Sequence, residues 1–297
     1  PNTKPPRGQT FDVVGALLMS VALFSLSLAL TLGQEAGFTS PPILALFALS
    51  IVAAVAFVLV ELRVRSPMLE LRLFKSPMLS VSVVTGFLTF SCLSATFFLL
   101  PFYLEGVLGF DVGQVGLLLG AAPLAMGLVS PISGTLSDRL GIRRLTLLGL
   151  VIIAGVYYGF TTIGIDTTPV HYLLLAVPLG IGIGIFQSPN NSAIMGSVPP
   201  EYMGIGGGLL TITRLLGQIS GIAVLGSIWA ASVAAASVGG LPPEGAPAAD
   251  PVAQVAGLHT TFIIAGAIMT ISVLVGAWGM RRERRDMRSP QPVAAEA

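Results

Sequence analysis

All of the 15 lysines and arginines in this chain except Arg214 lie at the same end of a long apolar stretch. Eight such stretches run through the 297 residues, and the positive side chains gather in alternate gaps between them. Lys4 and Arg7 come first, then Arg63, Arg65, Arg72 and Lys75, then Arg139, Arg143 and Arg144, and last Arg281, Arg282, Arg284, Arg285 and Arg288. The other gaps hold none. Positive residues accumulate in loops that stay in the cytoplasm. The pattern therefore predicts an all-α polytopic membrane helix bundle in a cell membrane, with both ends of the chain cytoplasmic.

Composition agrees with lipid as the solvent. Hydrophobic residues make up 54% and charged residues 10%, whereas about a quarter of a soluble globule is charged. The arginine clusters would meet anionic headgroups, so the expected partner is the lipid bilayer and not nucleic acid. Cys92 is the single cysteine, which excludes an internal disulfide.

A crossing needs about 20 residues. The spans read as Val13 to Leu32, Pro42 to Val60, Leu79 to Leu100, Gly113 to Ser133, Leu145 to Gly164, Tyr172 to Ile194, Gly204 to Ala231 and Thr260 to Met280. In the linker from Glu61 to Pro77, Leu69, Leu71, Leu73 and Phe74 alternate with Glu70, Arg72 and Lys75, as a short helix lying in the interface would. Ser237 to Gly257, rich in Pro, Ala and Gly, is expected to be a flexible outer loop. The polar run from Pro1 to Thr10 reads as a loop entering a helix, so further residues are expected before it.

The gap between the fourth and fifth spans reads Gly134-Thr135-Leu136-Ser137-Asp138-Arg139-Leu140-Gly141-Ile142-Arg143-Arg144. An acid beside several arginines can make charge-assisted bonds to neighbouring helix ends, bonds that break and re-form as a bundle rocks. A solvated turn with topogenic arginines is the plainer reading. The run resembles the recurring loop of the major facilitator superfamily, Gly-x-Leu-Ala/Ser-Asp-Arg-x-Gly-Arg-Arg/Lys, with Ile142 in place of the usual basic residue. The resemblance implies a conformational-gating role for Gly134, Asp138, Arg139, Gly141, Arg143 and Arg144. In that superfamily the loop joins the second and third helices of a six-helix half, as it does here if the first two spans are surplus. Two extra helices between halves look like the fourteen-helix drug:proton antiporters. So do the stretch from Gly182 to Asn191, the run Gly196 to Glu201, and Gly207-Gly208-Leu209-Leu210 with Arg214 and Gly217.

The resemblance implies the carboxy-terminal eight of fourteen helices. Residues 1–77 would hold the two extra helices and a linker, 78–281 the six-helix carboxy-terminal bundle, and 282–297 a basic tail. The absent amino-terminal six helices would be a partner. The activity implied is alternating-access export of hydrophobic small molecules coupled to protons, with no cofactor. The proton-coupling residues are expected mainly in the absent half.

Arg214 is too deep in its span for easy snorkelling. A cation there costs at least about 2.5 to 3.5 kcal/mol, so it should face the bundle interior and have a partner. Gly207, Thr211, Arg214, Gly217, Gln218 and Gly221 form one small, polar stripe at helical spacing. On the preceding span Gly180, Gly184, Gln187 and Asn191 share a face at matching depth. Pro189 frees a backbone carbonyl nearby. The candidate cargo wall is thus Gln187, Asn190, Asn191, Arg214 and Gln218; a cluster that only locks two helices together is the alternative. Phe90, Ser94, Phe97 and Phe98 on the third span would supply apolar contact for cargo. Gly116, Gly120, Pro123, Gly127 and Pro131 give the fourth span a small, kinked stripe.

Rival readings remain at this level. A membrane enzyme lacks support, because there is no His-Glu-x-x-His or paired-aspartate motif and only two histidines, so no metal site is expected. A truncated, non-transporting half-protein and an exporter of siderophore, lipid or metabolite both fit.

Overall fold

The computed structural model describes residues 12–36, 40–63, 74, 76–238, 240–242 and 245–286. Eight α-helices account for most of them: α1 (Val13–Ala36), α2 (Pro41–Glu61), α3 (Pro77–Phe102), α4 (Val112–Leu140), α5 (Ile142–Gly159), α6 (Pro169–Gly196), α7 (Met203–Ala236) and α8 (Pro251–Asp286). Seven of them, α2 to α8, have the length and hydropathy to cross a membrane, and α1 carries a shorter apolar run over Val13–Ala29. Every expected span has its helix. The helices overrun the apolar stretches, because a helix continues as long as its ends are capped and not only while its residues are apolar.

Local chemistry sets these ends. Prolines occupy the first turn of α2, α3 and α6, where a missing N–H costs no helical bond. Asp111 accepts from the backbone N–H of Gly113 and Gln114 at 2.8 and 3.2 Å, and the Gln114 side chain answers with a bond to the Asp111 N–H, closing a capping box on α4. Asp250 caps α8 by accepting from the Val252 N–H at 2.8 Å.

α8 thereby begins nine residues before the expected span. The segment expected to be flexible instead ends in two helical turns, with Ala246, Ala249, Ala253 and Val255 buried. The buried Gln254 amide holds it down by donating to the carbonyls of Pro247 and Ala249.

Two groups of helices mirror each other in how they pack. α4 lies along α6 as α7 lies along α3, and α5 meets α6 as α8 meets α3. This is the pattern of two inverted three-helix repeats, α3–α5 and α6–α8. Glycines set the closeness of both main pairs. A methyl group on Gly221 would collide with the Ser91 carbonyl of α3, and one on Gly180 with the Ala122 carbonyl of α4. The α1–α2 hairpin, tied by a bond from the Ser50 hydroxyl to the Ala22 carbonyl at 2.9 Å, leans on α7 through α1.

The arginine-bearing ends do gather. Gly279 of α8 sits beside Val81 of α3 and the Arg143 guanidinium of α5. At the opposite end the Tyr103 hydroxyl, in a π-helical turn (Tyr103–Val107) after α3, donates to the Gly164 carbonyl, and a His259 ring nitrogen bonds the Ile163 carbonyl. Between the ends, a core of apolar side chains from α3, α5, α6 and α8 surrounds Tyr157, Phe160, Phe186 and Phe262. The interfacial segment expected between α2 and α3 lies outside the described residues except Phe74, which packs with Leu79, Ile194 and Leu209.

Candidate functional site: a cavity at mid-length of four helices

α3, α4, α6 and α7 line an open cavity of about 570 Å³. α3 contributes Phe90, Leu93, Ser94, Phe97 and Phe98, and α7 contributes Arg214, Gln218 and Ile222. Ala122, Pro123 and Met126 of α4 and Ile183 and Gln187 of α6 complete the wall. At 1.5 Å of rise per residue the wall begins roughly 14 Å from the basic end, at Gln187, with Arg214 at roughly 17 Å, and reaches roughly 32 Å at Phe98. Its size is in the range of small-molecule sites.

The cavity exists because glycines bring α7 onto α3 and α6 onto α4, leaving α6 and α7 mostly apart. Gly217 and Gly221 back onto α3, where a methyl on Gly217 would stand 2.8 Å from the Phe87 carbonyl. Gly184 backs onto the Met126 carbonyl of α4 in the same way. Arg214 and Gln187 are thereby presented from two different walls of the cavity. They make no hydrogen bond to one another, so they do not lock two helices together. The expected stripe on α7 divides: Gly217 and Gly221 turn to α3, Gly207 meets no described neighbour, and Arg214 and Gln218 turn to the cavity.

Arg214 is half-buried, with its guanidinium carbon 5.0 Å from the centre of the Phe90 ring. Its Nε is buried without a hydrogen-bond partner. Phe97 and Phe98 are exposed toward the cavity, and Phe98 continues an aromatic ladder through Phe102 to Trp229. The Ser94 hydroxyl donates to the Gln218 carbonyl at 2.9 Å, so it fastens α3 to α7 while lining the wall.

Two expectations are corrected. Asn190 and Asn191 do not line the cavity. Asn190 is 2% exposed and lies against Gly86 of α3 and near Thr213 of α7, where three helices converge toward the basic end. The carbonyl freed by Pro189, that of Ile185, is taken by the Ser133 hydroxyl of α4 at 3.0 Å and is not part of a polar cluster with Arg214. The apolar lining residues of α4 and α6 carried no signal in the sequence, because one apolar residue in a span reads like another. Nor is the Gly/Pro stripe of α4 a packing seam among the described residues. Methyl groups on Gly116, Gly120 or Gly127 would meet nothing within 4 Å, and only Pro123 of the stripe reaches the cavity.

The expected gating loop is nearly all helix. α4 runs to Leu140, and α5 starts at Ile142. The break is Gly141 alone, at φ +89°, a conformation that glycine adopts without a side-chain clash. Gly134 lies inside α4, close to the Ser188 hydroxyl of α6. Arg143 does bond a neighbouring helix end, as its residue type had indicated. Its Nε donates to Glu283 of α8 at 2.9 Å, a partner the sequence did not single out. Asp138, Arg139 and Arg144 are exposed and make no ion pair with a described residue.

Comparison with known proteins gives these features a context. The family model described as Major Facilitator Superfamily matches residues 7–222. The chain is 34% identical over 220 residues to the uncharacterised MFS-type transporter YhcA of Bacillus subtilis, covering 74% of this chain and 41% of the relative. The riboflavin transporter RibZ of Clostridioides difficile is 31% identical over 231 residues, 76% of this chain and 48% of its own length. The lincomycin resistance protein LmrB of B. subtilis matches 96% of this chain at 28% identity, over 58% of its own length. The chain spans about half the length of the relatives it matches.

Proposed function

This chain belongs to the major facilitator superfamily, and from that premise we propose that it is part of a secondary active exporter of hydrophobic small molecules, working by proton antiport and alternating access. One observation carries the reading. An apolar, aromatic cavity with a few polar groups lies at mid-length between two inverted repeats, where a superfamily transporter holds its cargo. Phe90, Phe97 and Phe98 supply contact that tolerates many shapes, and Gln187, Gln218 and Arg214 supply orientation.

On this reading the basic helix ends face the cytoplasm of a bacterial cell, and α1–α2 are the extra pair of a fourteen-helix carrier. The Arg143–Glu283 pair is one state of the gate, with Asp138 and Arg139 free to pair in another. The proton-coupling residues, on the same reading, belong mainly to the amino-terminal helices outside this chain. A second reading, a carrier for a metabolite, is favoured by the riboflavin transporter among the relatives.

The test is efflux. A bacterial host stripped of its own drug pumps and expressing the whole carrier of which this chain is a part should accumulate less ethidium, lincomycin or riboflavin than the empty host. A protonophore should abolish the difference. Unchanged accumulation of all three would remove the drug-exporter reading, and efflux that survives the protonophore would remove the antiport.

A further inference from the structure

Among the described residues Arg214 is the only cationic side chain on the cavity wall, and no acid stands beside it there. Its guanidinium makes no hydrogen bond or ion pair with any described residue, and its Nε is buried and unpartnered. The described acids sit at helix ends or in turns, as Glu61, Glu105, Asp111, Asp138, Asp166, Asp250 and Glu283 do. A charge held at this depth in a membrane is costly unless something answers it. Phe90 answers part of the cost from one face, at 5.0 Å. The ring offers no hydrogen-bond acceptor, so the guanidinium N–H donors are left for another partner. Their fork matches a planar oxyanion in two parallel bonds.

We propose that Arg214, backed by Phe90, receives a carboxylate-type oxyanion on the cargo, with the cargo's apolar body against Phe97 and Phe98. The substrate class is therefore an amphipathic organic anion. This inference rests on the reading of the cavity as the cargo site. Gln187 and Gln218 offer amides that hydrogen-bond a neutral polar group, and no described lining side chain is an acid that would pair with a cationic cargo.

An anionic lipid headgroup offers the same chemistry as a cargo carboxylate, and the experiment separates them. Binding of 1-pyrenebutyrate and of its neutral amide, 1-pyrenebutyramide, is measured by equilibrium dialysis on the chain in phosphatidylcholine nanodiscs. The carboxylate should bind roughly ten- to a hundredfold more tightly, the range of a charge-assisted bond in a desolvated site. Arg214→Met should erase that preference while leaving the amide's affinity within about twofold. Should the methionine variant not fold, Arg214→Gln carries the same comparison. Saturable binding of both probes with equal affinity, or a preference that survives loss of Arg214, would overturn the inference and leave the cavity reading standing. Absence of saturable binding by either probe would overturn both. Phosphatidylglycerol that removes the Arg214-dependent preference as it is added would assign the oxyanion to lipid and overturn the cargo assignment.

Discussion

Gly221→Leu should yield little or no folded protein, and Gly180→Leu should behave the same way. At each position the added side chain is driven into a backbone carbonyl of the facing helix, Ser91 in one repeat and Ala122 in the other. A flexible side chain could rotate aside, but a carbonyl inside a helix cannot move without carrying the helix with it. Overpacking a core ordinarily costs about 1 to 3 kcal/mol, and an obstacle of this kind places the cost at or above the top of that range. At about 2 to 4 °C per kcal/mol for a chain near this size, the thermal midpoint in detergent should fall by about 10 °C, or the monodisperse peak should vanish. Gly207→Ala provides the contrast, because a methyl there meets nothing within 4 Å. Its midpoint should stay within about 2 °C, helped by the better helix propensity of alanine. Equal behaviour of the Gly221 and Gly207 variants would show that α3 and α7 do not pack as described.

Ile222→Trp should stop cargo efflux without unfolding the chain. Ile222 borders the cavity from α7, so an indole there projects into space that cargo would use and not into packed protein. Efflux of whichever compound the wild type exports should drop at least about tenfold, the loss that follows when about 1.4 kcal/mol or more of binding is removed. Leu117→Trp is the matched control: that residue is 81% exposed on the outer side of α4 and does not border the cavity. Unchanged efflux from the Ile222 variant, alongside an intact melting profile, would place the cargo elsewhere.

The sequence disclosed the fold where a single physical rule governs it. Hydropathy located all eight helices, and the alternating arginines foretold which helix ends would gather. It erred at boundaries, where capping overrides hydropathy. Asp250-Pro251 is a helix-start signal, an acid before a proline, yet the apolar stretch it opens was weak enough to pass for loop. Gly141 was singled out with its loop, but the polar run around it read as a longer turn, whereas this one glycine suffices to break α4 from α5.

The cavity was half legible. Arg214, Gln187, Gln218 and the α3 phenylalanines stood out because polar or aromatic residues in a span are conspicuous. Asn190 and Asn191 were conspicuous for the same reason and fell outside the cavity, because periodicity gives the face of a helix but not the depth at which its neighbours close in. Only the convergence of α3, α6 and α7 around Gly86 shows where the space ends. Ser133 illustrates a further limit, since nothing in the sequence marks it as the partner of the Ile185 carbonyl across 52 residues.

The central claim, that cargo occupies the cavity between α3, α4, α6 and α7, is tested most directly by alkylation of a Gln218→Cys variant in membranes. Cys92 is 0% exposed and inside the core, so the introduced thiol is the reactive one. With an exported compound present at roughly ten times its Kd, N-ethylmaleimide should label position 218 about tenfold more slowly, because only the unoccupied fraction reacts. A Val238→Cys variant, fully exposed beyond the end of α7, should label at the same rate with and without the compound. Equal labelling of position 218 in both conditions would contradict the assignment of the cavity as the cargo site.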